Sequence, residues 1–338
     1  MTGTTPAAAS RYTVADRPPF RWSDALLRWE SILVLLLAAV IAFNTRISPY
    51  FLDIYNLSDA TFNFSEKALI ALSMALLIIA RDIDLSVAAI VAVASLAMGE
   101  ASAAGAPTPV LVLTGLAVGV ACGAVNGWLV TGFALPSIVV TIGTMSLFRG
   151  LAQVVLGDQA LTTYPAAFQA IGQGYLAPGL PVPVSFALFL VLAALFAFVL
   201  HRTIIGRRIF ALGSNPVAAR FSGIEVDRIR FWLFVLTGIM AGLAAVLLTA
   251  RIGSTRPNIA LGFELEAVTM VVLGGVSIAG GSGAIPGVVL AVFVLGLTTF
   301  GLSLINTPGI VISVLNGTLL IVAISVPIIA RRALNRNA

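Results

Sequence analysis

The chain runs to 338 residues, of which 59% are hydrophobic and only 10% charged. A soluble domain carries about 25% charged residues because its surface must be hydrated, so an ordinary soluble protein is excluded. One cysteine, Cys122, and one histidine, His201, are too few for an internal disulfide or a metal cage, and no metal site is expected.

Residues 1–29 carry Arg11, Arg17, Arg21 and Arg28 without an apolar core, which reads as a cytoplasmic tail rather than a cleavable signal. Apolar stretches follow near 31–47, 67–81, 86–104, 109–132, 136–157, 182–201, 230–250, 265–279, 284–303 and 310–330. A membrane helix needs about 20 such residues, so the expectation is an all-α membrane protein of about ten transmembrane helices. Threading them from a cytoplasmic N-terminus places fourteen arginines inside: the four of the tail, Arg81, six from Arg202 to Arg230, and Arg331, Arg332 and Arg336. The far side receives Arg46, Lys67, Arg251 and Arg256, while Arg149 falls within the fifth span nearer its inner half. This is the positive-inside pattern, and it expects both termini in the cytoplasm, with 331–338 a second tail. The net charge of +5 is thus explained by the bilayer, without nucleic acid.

Four segments break the apolar pattern. Arg81-Asp82-Ile83-Asp84-Leu85-Ser86 puts three charges in four residues, too costly for the bilayer centre, so it predicts a turn near the cytoplasmic interface. Asp84 and Ser86 either cap the third span, with Arg81 pairing to a neighbouring aspartate, or form a broken helix beside a solute path. The next segment runs from Pro136 to Gly150. Its hydroxyls Thr141, Thr144 and Ser146 either bond back to the preceding turn or form a polar strip, with Arg149 facing the bundle interior. Between 202 and 229, Asn215-Pro216 opens a short helix over Val217 to Ser222 and Gly223 closes it. A helix that short is marginal alone, and with Phe210, Val217 and Phe221 exposed it is shaped to dock against a partner. Last, six glycines between 274 and 287 abolish regular helix. Irregular backbone at membrane depth survives only inside protein or against a water-filled cavity. Gly274, Gly275 and Ser277 therefore belong to a hinge or re-entrant turn, and they join Asp84, Ser86, Thr141, Thr144 and Ser146 as candidates for lining a path.

Catalytic classes find no support in the sequence. Lys67 is the only lysine, in Ser65-Glu66-Lys67-Ala68, so the Gly-x-x-x-x-Gly-Lys loop that cradles nucleotide phosphates is absent. No metalloprotease spacing occurs either. A self-sufficient ion-coupled transporter would want carboxylates within its spans, whereas Asp84, Asp158, Glu264 and Glu266 fall near predicted span ends.

Taken in order, the run 81–86, the segment 136–150, the loop 206–224 and the glycine segment 273–287 resemble the permease subunits of ribose-type bacterial ABC importers, over about residues 30–330. Within that family the chain looks closest to rhamnose-import permeases, through Ala60 to Lys67 and Gly253 to Pro257, with autoinducer 2 permeases next. The resemblance implies a permease domain over 30–330, in the bacterial inner membrane, moving a monosaccharide or sugar-like solute. It implies a second permease chain, identical or related, a cytoplasmic ATPase, a periplasmic sugar-binding protein, and no cofactor in this chain. Gly206, Arg207, Arg208, Gly213, Asn215, Ala218, Ala219 and Gly223 would be the contact and shape residues of its ATPase-coupling loop. Many relatives have glycine where Arg81 and Ala88 stand, so this turn is expected to be stiffer. The rival reading remains an ion-coupled secondary sugar transporter.

Overall fold

A computed structural model describes residues 29–336; the expected N-terminal tail lies outside the described residues. Nine of the ten apolar stretches are helical over nearly their whole length, and the eighth, 265–279, is helical only to Leu273. In chain order the elements are α1 (Trp29–Ile47), α2 (Ile54–Ile79), α3 (Val87–Ala103), α4 (Thr108–Gly132), α5 (Ser137–Leu156), α6 (Ala166–Gln173), β1 (Tyr175–Ala177), β2 (Leu180–Pro183), α7 (Val184–Arg202), α8 (Ile204–Ser214), α9 (Pro216–Phe221), α10 (Val226–Ile252), α11 (Phe263–Leu273), α12 (Ile285–Leu304) and α13 (Gly309–Arg336). Seven of these helices are long and apolar enough to cross a membrane: α1, α2, α4, α5, α7, α10 and α12. The apolar helices Val87–Ala103 and Gly309–Ala323 are shorter, and α11 has 11 residues. The C-terminal segment expected as a tail instead continues α13 to Arg336.

Two helices organise the bundle. The first is α2, buried on nearly every side, as expected of a helix apolar all round. It begins at Ile54 rather than near 67, because the Asp53 carboxylate accepts hydrogen bonds from the Tyr55 and Asn56 amides and starts the helix earlier. The polar run Ala60 to Lys67 is therefore helical. The second is α10, which packs most extensively on α4. Glycines set that crossing: a methyl added at Gly123 would sit 3.0 Å from the Gly238 Cα, and one at Gly238 would sit 2.9 Å from the Gly123 Cα. Gly119 and Gly242 meet in the same way one turn along. Small residues at four-residue spacing let backbones approach where lipid gives no hydrophobic drive.

Between α11 and α12 the glycine segment is irregular, as expected. Gly275, Gly280 and Gly281 have φ of 87°, 81° and 74°, and Ser277 N donates to Ser282 O across the turn at 3.0 Å. Between α5 and α7, α6 and an antiparallel β1–β2 hairpin form a cap. There Leu161 and Thr255 exchange backbone hydrogen bonds.

Candidate functional site

The loop 202–229 contains one more helix than the sequence suggested. Besides α9, the segment Ile204–Ser214 is helical, started by the Thr203 side chain accepting from Gly206 N. Gly206 and Gly213, which the resemblance marks as contact and shape residues, are both buried. A Cβ on Gly213 would lie 2.6 Å from the Gly281 nitrogen and closer still to the Ile79 carbonyl oxygen. Asn215 caps α9 by accepting from Val217 N at 3.1 Å and Ala218 N at 3.0 Å, and Gly223 turns the chain with φ 79°. Ala219 is buried while Arg207, Arg208, Asn215, Ala218 and Gly223 are exposed. Val217 and Phe221 stand out at 65% and 89% exposure. Phe210 does not: it is half-buried and lies against the His201 ring.

The turn 81–86 meets this loop directly. Arg81 Nε donates to Gly213 O at 2.5 Å and Nη2 to Ser214 O at 2.7 Å, so the expected pairing of Arg81 with a neighbouring aspartate does not form. Asp82, 1% exposed, instead receives both Arg230 Nε at 2.6 Å and Nη2 at 2.7 Å. A forked pair of this kind is directional and strong. Gly281 N donates to Ile79 O at 2.9 Å, bringing the glycine segment to the same place.

Deeper in, Asp84 is fully buried. Its Oδ1 accepts from Ser86 N at 2.8 Å and Ser86 Oγ at 2.6 Å, and Asn126 Nδ2 donates to Ser86 Oγ at 2.8 Å. Burial pushes the Asp84 carboxyl up, against the hydrogen bonds from Ser86 and Asn126 that pull it down. Ser86 occupies the N-cap of α3, but its side chain makes no cap hydrogen bond. The buried Thr141 Oγ1 donates to Ile83 O at 3.3 Å, and Ser137 Oγ accepts from Ile83 N at 3.4 Å. Thr144 is buried one turn on. Ser146 faces the other way, exposed and bonded back to Ile142 O at 3.2 Å, so it leaves this group. Gly274 packs tightly on Val288, 2.6 Å for an added Cβ, while Gly275 meets Trp29 and Ser277 stays within its own turn. These three do not join Asp84 and Thr141.

Midway along α2 and at the far end of α10 lies a second polar group that sequence reasoning missed. Glu66, fully buried, accepts from Arg251 Nε at 2.7 Å, and Lys67 pairs with Glu266 at 2.6 Å. Arg149 sits in the second half of α5, farther from Ser137 than expected. It faces the interior as predicted, donating to Pro257 O at 2.9 Å and Ile259 O at 2.7 Å. Beside this group Thr255 Oγ1 lies 2.6 Å from the Tyr164 hydroxyl and donates to Ser95 O at 3.0 Å; burial pushes the Tyr164 phenol up.

Comparison with known proteins now bears on what this arrangement does. The family described as branched-chain amino acid transport system, permease component, matches residues 56–324. The chain belongs to this permease family. Among its relatives, the autoinducer 2 import system permease protein LsrD of Yersinia enterocolitica is 36% identical over 302 residues, 88% of this chain and 90% of that protein. The proteins of that name from Escherichia coli and Shigella flexneri are each 35% identical, over 88% of this chain and 91% of their own. No solved structure matches. The permease is accordingly a multi-pass protein of the bacterial inner membrane and a transport component.

Proposed function

We propose that this permease is one half of the membrane channel of an ATP-driven importer for a small sugar-like solute. It spans the membrane ten times with both termini cytoplasmic. It pairs with a second permease chain, receives solute from a periplasmic binding protein, and is driven by a cytoplasmic ATPase seated on residues 202–229. The observation that carries this reading is the hydrogen-bonded route from an exposed apolar knob to a buried polar turn. Val217 and Phe221 offer a partner an apolar contact. Behind them, Arg81 and Arg230 tie the loop and the start of α10 to Ile79–Ser86, and that turn bonds to α4 and α5 through Asn126 and Thr141. Force applied at α9 therefore reaches three spans without crossing a soft joint.

For the solute, the relatives named above favour an autoinducer 2-like molecule over rhamnose, which the sequence resemblance had placed first. The secondary-transporter reading loses support from the ion pairs, because Glu66 and Glu266 are each bound to a cation of this chain rather than free to couple one. ATP binding would close the ATPase pair, displace the knob and favour one opening of the bundle, which requires that ATP distinguish the two states.

The test is reconstitution. The purified chain alone in proteoliposomes should accumulate no solute, even under a proton or sodium gradient. Adding its copurifying permease, ATPase and binding protein with ATP should give accumulation of autoinducer 2. Uphill uptake by the lone chain would end the proposal.

A further inference from the structure

A cavity lies between the middle of α2 and the end of α10 opposite the loop 202–229, bounded also by α11, α12 and the segment after α10. Its volume is about 750 Å³, within the range of small-molecule sites, roughly 300–1,000 Å³. Three features set it apart from a packing gap. Lys67 and Arg251 line it with their charge already neutralised by Glu266 and Glu66, so they add hydrogen-bond donors rather than bare cations. The exposed Arg256 lines it with a guanidinium that has no hydrogen-bond or carboxylate partner among the described residues. Ser254, 7% exposed, lines it with a buried hydroxyl that has no hydrogen-bond partner either. Buried polar groups are nearly always paired, so an orphan in a cavity wall calls for an external partner. Phe263 and Phe300 supply aromatic wall, and Lys67 Nζ lies 4.9 Å from the Phe263 ring centre.

We propose that this cavity is a solute-binding site held within a single permease chain, built for a neutral polyhydroxylated molecule. Hydroxyls would engage Ser254, Asn258 and the Arg256 guanidinium, while C–H faces rest on Phe263 and Phe300. This inference rests on the importer reading above and deepens it: solute released at the outer face would pause inside one protomer before crossing. A neutral solute suits the site because two of its three cations are already paired, and the remaining guanidinium can donate to hydroxyl oxygens.

The experiment uses the assembled importer in proteoliposomes, with autoinducer 2 as probe at saturating loaded binding protein, comparing wild type with Ser254→Ala and Arg256→Gln. Neither side chain has a hydrogen-bond partner among the described residues, so each variant should melt at the wild-type temperature. Each should lower the maximal uptake rate by about five- to tenfold, the worth of one lost hydrogen bond. Uptake within twofold of wild type in both variants, with wild type active, would overturn the site. An inactive wild-type assembly would instead refute the importer reading. Loss confined to Arg256→Gln, with Ser254→Ala unaffected and uptake suppressed by salt, would overturn the neutral class in favour of an anion. A fall in melting temperature matching the fall in uptake in both variants would assign these residues a structural role and likewise overturn the proposal.

Discussion

Arg81→Gly separates backbone strain from tethering at the turn between α2 and α3. Arg81 has φ 70°, a left-handed conformation that costs a residue with a Cβ about 1–2 kcal/mol and glycine almost nothing. Against that cost stand the two bonds from its guanidinium, to Gly213 O at 2.5 Å and Ser214 O at 2.7 Å. Hydrogen bonds from charged donors contribute about 1.5–3 kcal/mol each, and the exposed one to Ser214 belongs at the lower end. Glycine should thus relieve about 1–2 kcal/mol of strain and lose about 3–5 kcal/mol of tether. The net is roughly 2–3 kcal/mol of weaker contact between the docking loop and the span, or at least about tenfold in the linked equilibrium. The assay is the ratio of solute imported to ATP hydrolysed by the assembled complex. That ratio should fall by at least about tenfold, while the melting temperature drops only a few degrees. Arg81→Lys should fall between, because a single ammonium lacks the fork that reaches two carbonyls. A glycine variant with the wild-type ratio would refute the assignment of Arg81 as a tether.

Gly213→Ala should act at the same joint: its Cβ would meet the Gly281 nitrogen at 2.6 Å, against about 3.5 Å for relaxed contact. Coupling should drop with near-normal membrane insertion, measured by the same ratio. Gly238→Leu should spoil the α4–α10 crossing, costing about 1–3 kcal/mol or more by overpacking, seen as lower yield and melting temperature in detergent. Arg230→Gln leaves Asp82 buried and unpaired, a loss of about 3–5 kcal/mol; the double variant Asp82→Asn/Arg230→Gln should recover most of it in a thermal double-mutant cycle. Phe221→Cys should react with a membrane-impermeant maleimide only after cells are opened, and labelling in intact cells would invert the orientation.

Hydropathy made the ten apolar stretches legible; nine are helical nearly throughout and the eighth up to Leu273. The short helix α9 was legible too, because Asn215-Pro216 and Gly223 are local signals that need no partner. The start of α2 was not: Ser58, Ser65 and Glu66 are buried against protein, whereas a hydropathy reading treats each residue as if it faced lipid. Helix α8 was not legible, because its Gly206 and Gly213 weaken helix propensity while each is a place where another backbone comes close. The pairs that build the site are long-range. Asp82 and Arg230 are 148 residues apart, and Glu66 and Arg251 are 185 apart, so nothing local announces them.

The two polar groups share α2, and that shapes how transport can be driven. The helix has 26 residues, about 39 Å at 1.5 Å per residue. Its middle carries Glu66 and Lys67, paired to α10 and α11, about 20 Å from the end that runs into Ile79, whose carbonyl accepts from Gly281, and Arg81, which bonds the loop 202–229. A helix packed on nearly every side cannot bend freely, because its neighbours are close-packed and transmit strain. Displacement at the loop must therefore move α2 as a body or leave it in place. If it moves, the forked Arg230–Asp82 pair and the Arg251–Glu66 pair change geometry together, since both arginines lie on α10. Ion pairs lose most of their value when their geometry is lost in a dry interior, so only registers that satisfy both pairs are populated. For the importer proposed above, two openings of the bundle rather than a continuum would follow, and ATP would need only to favour one register over the other.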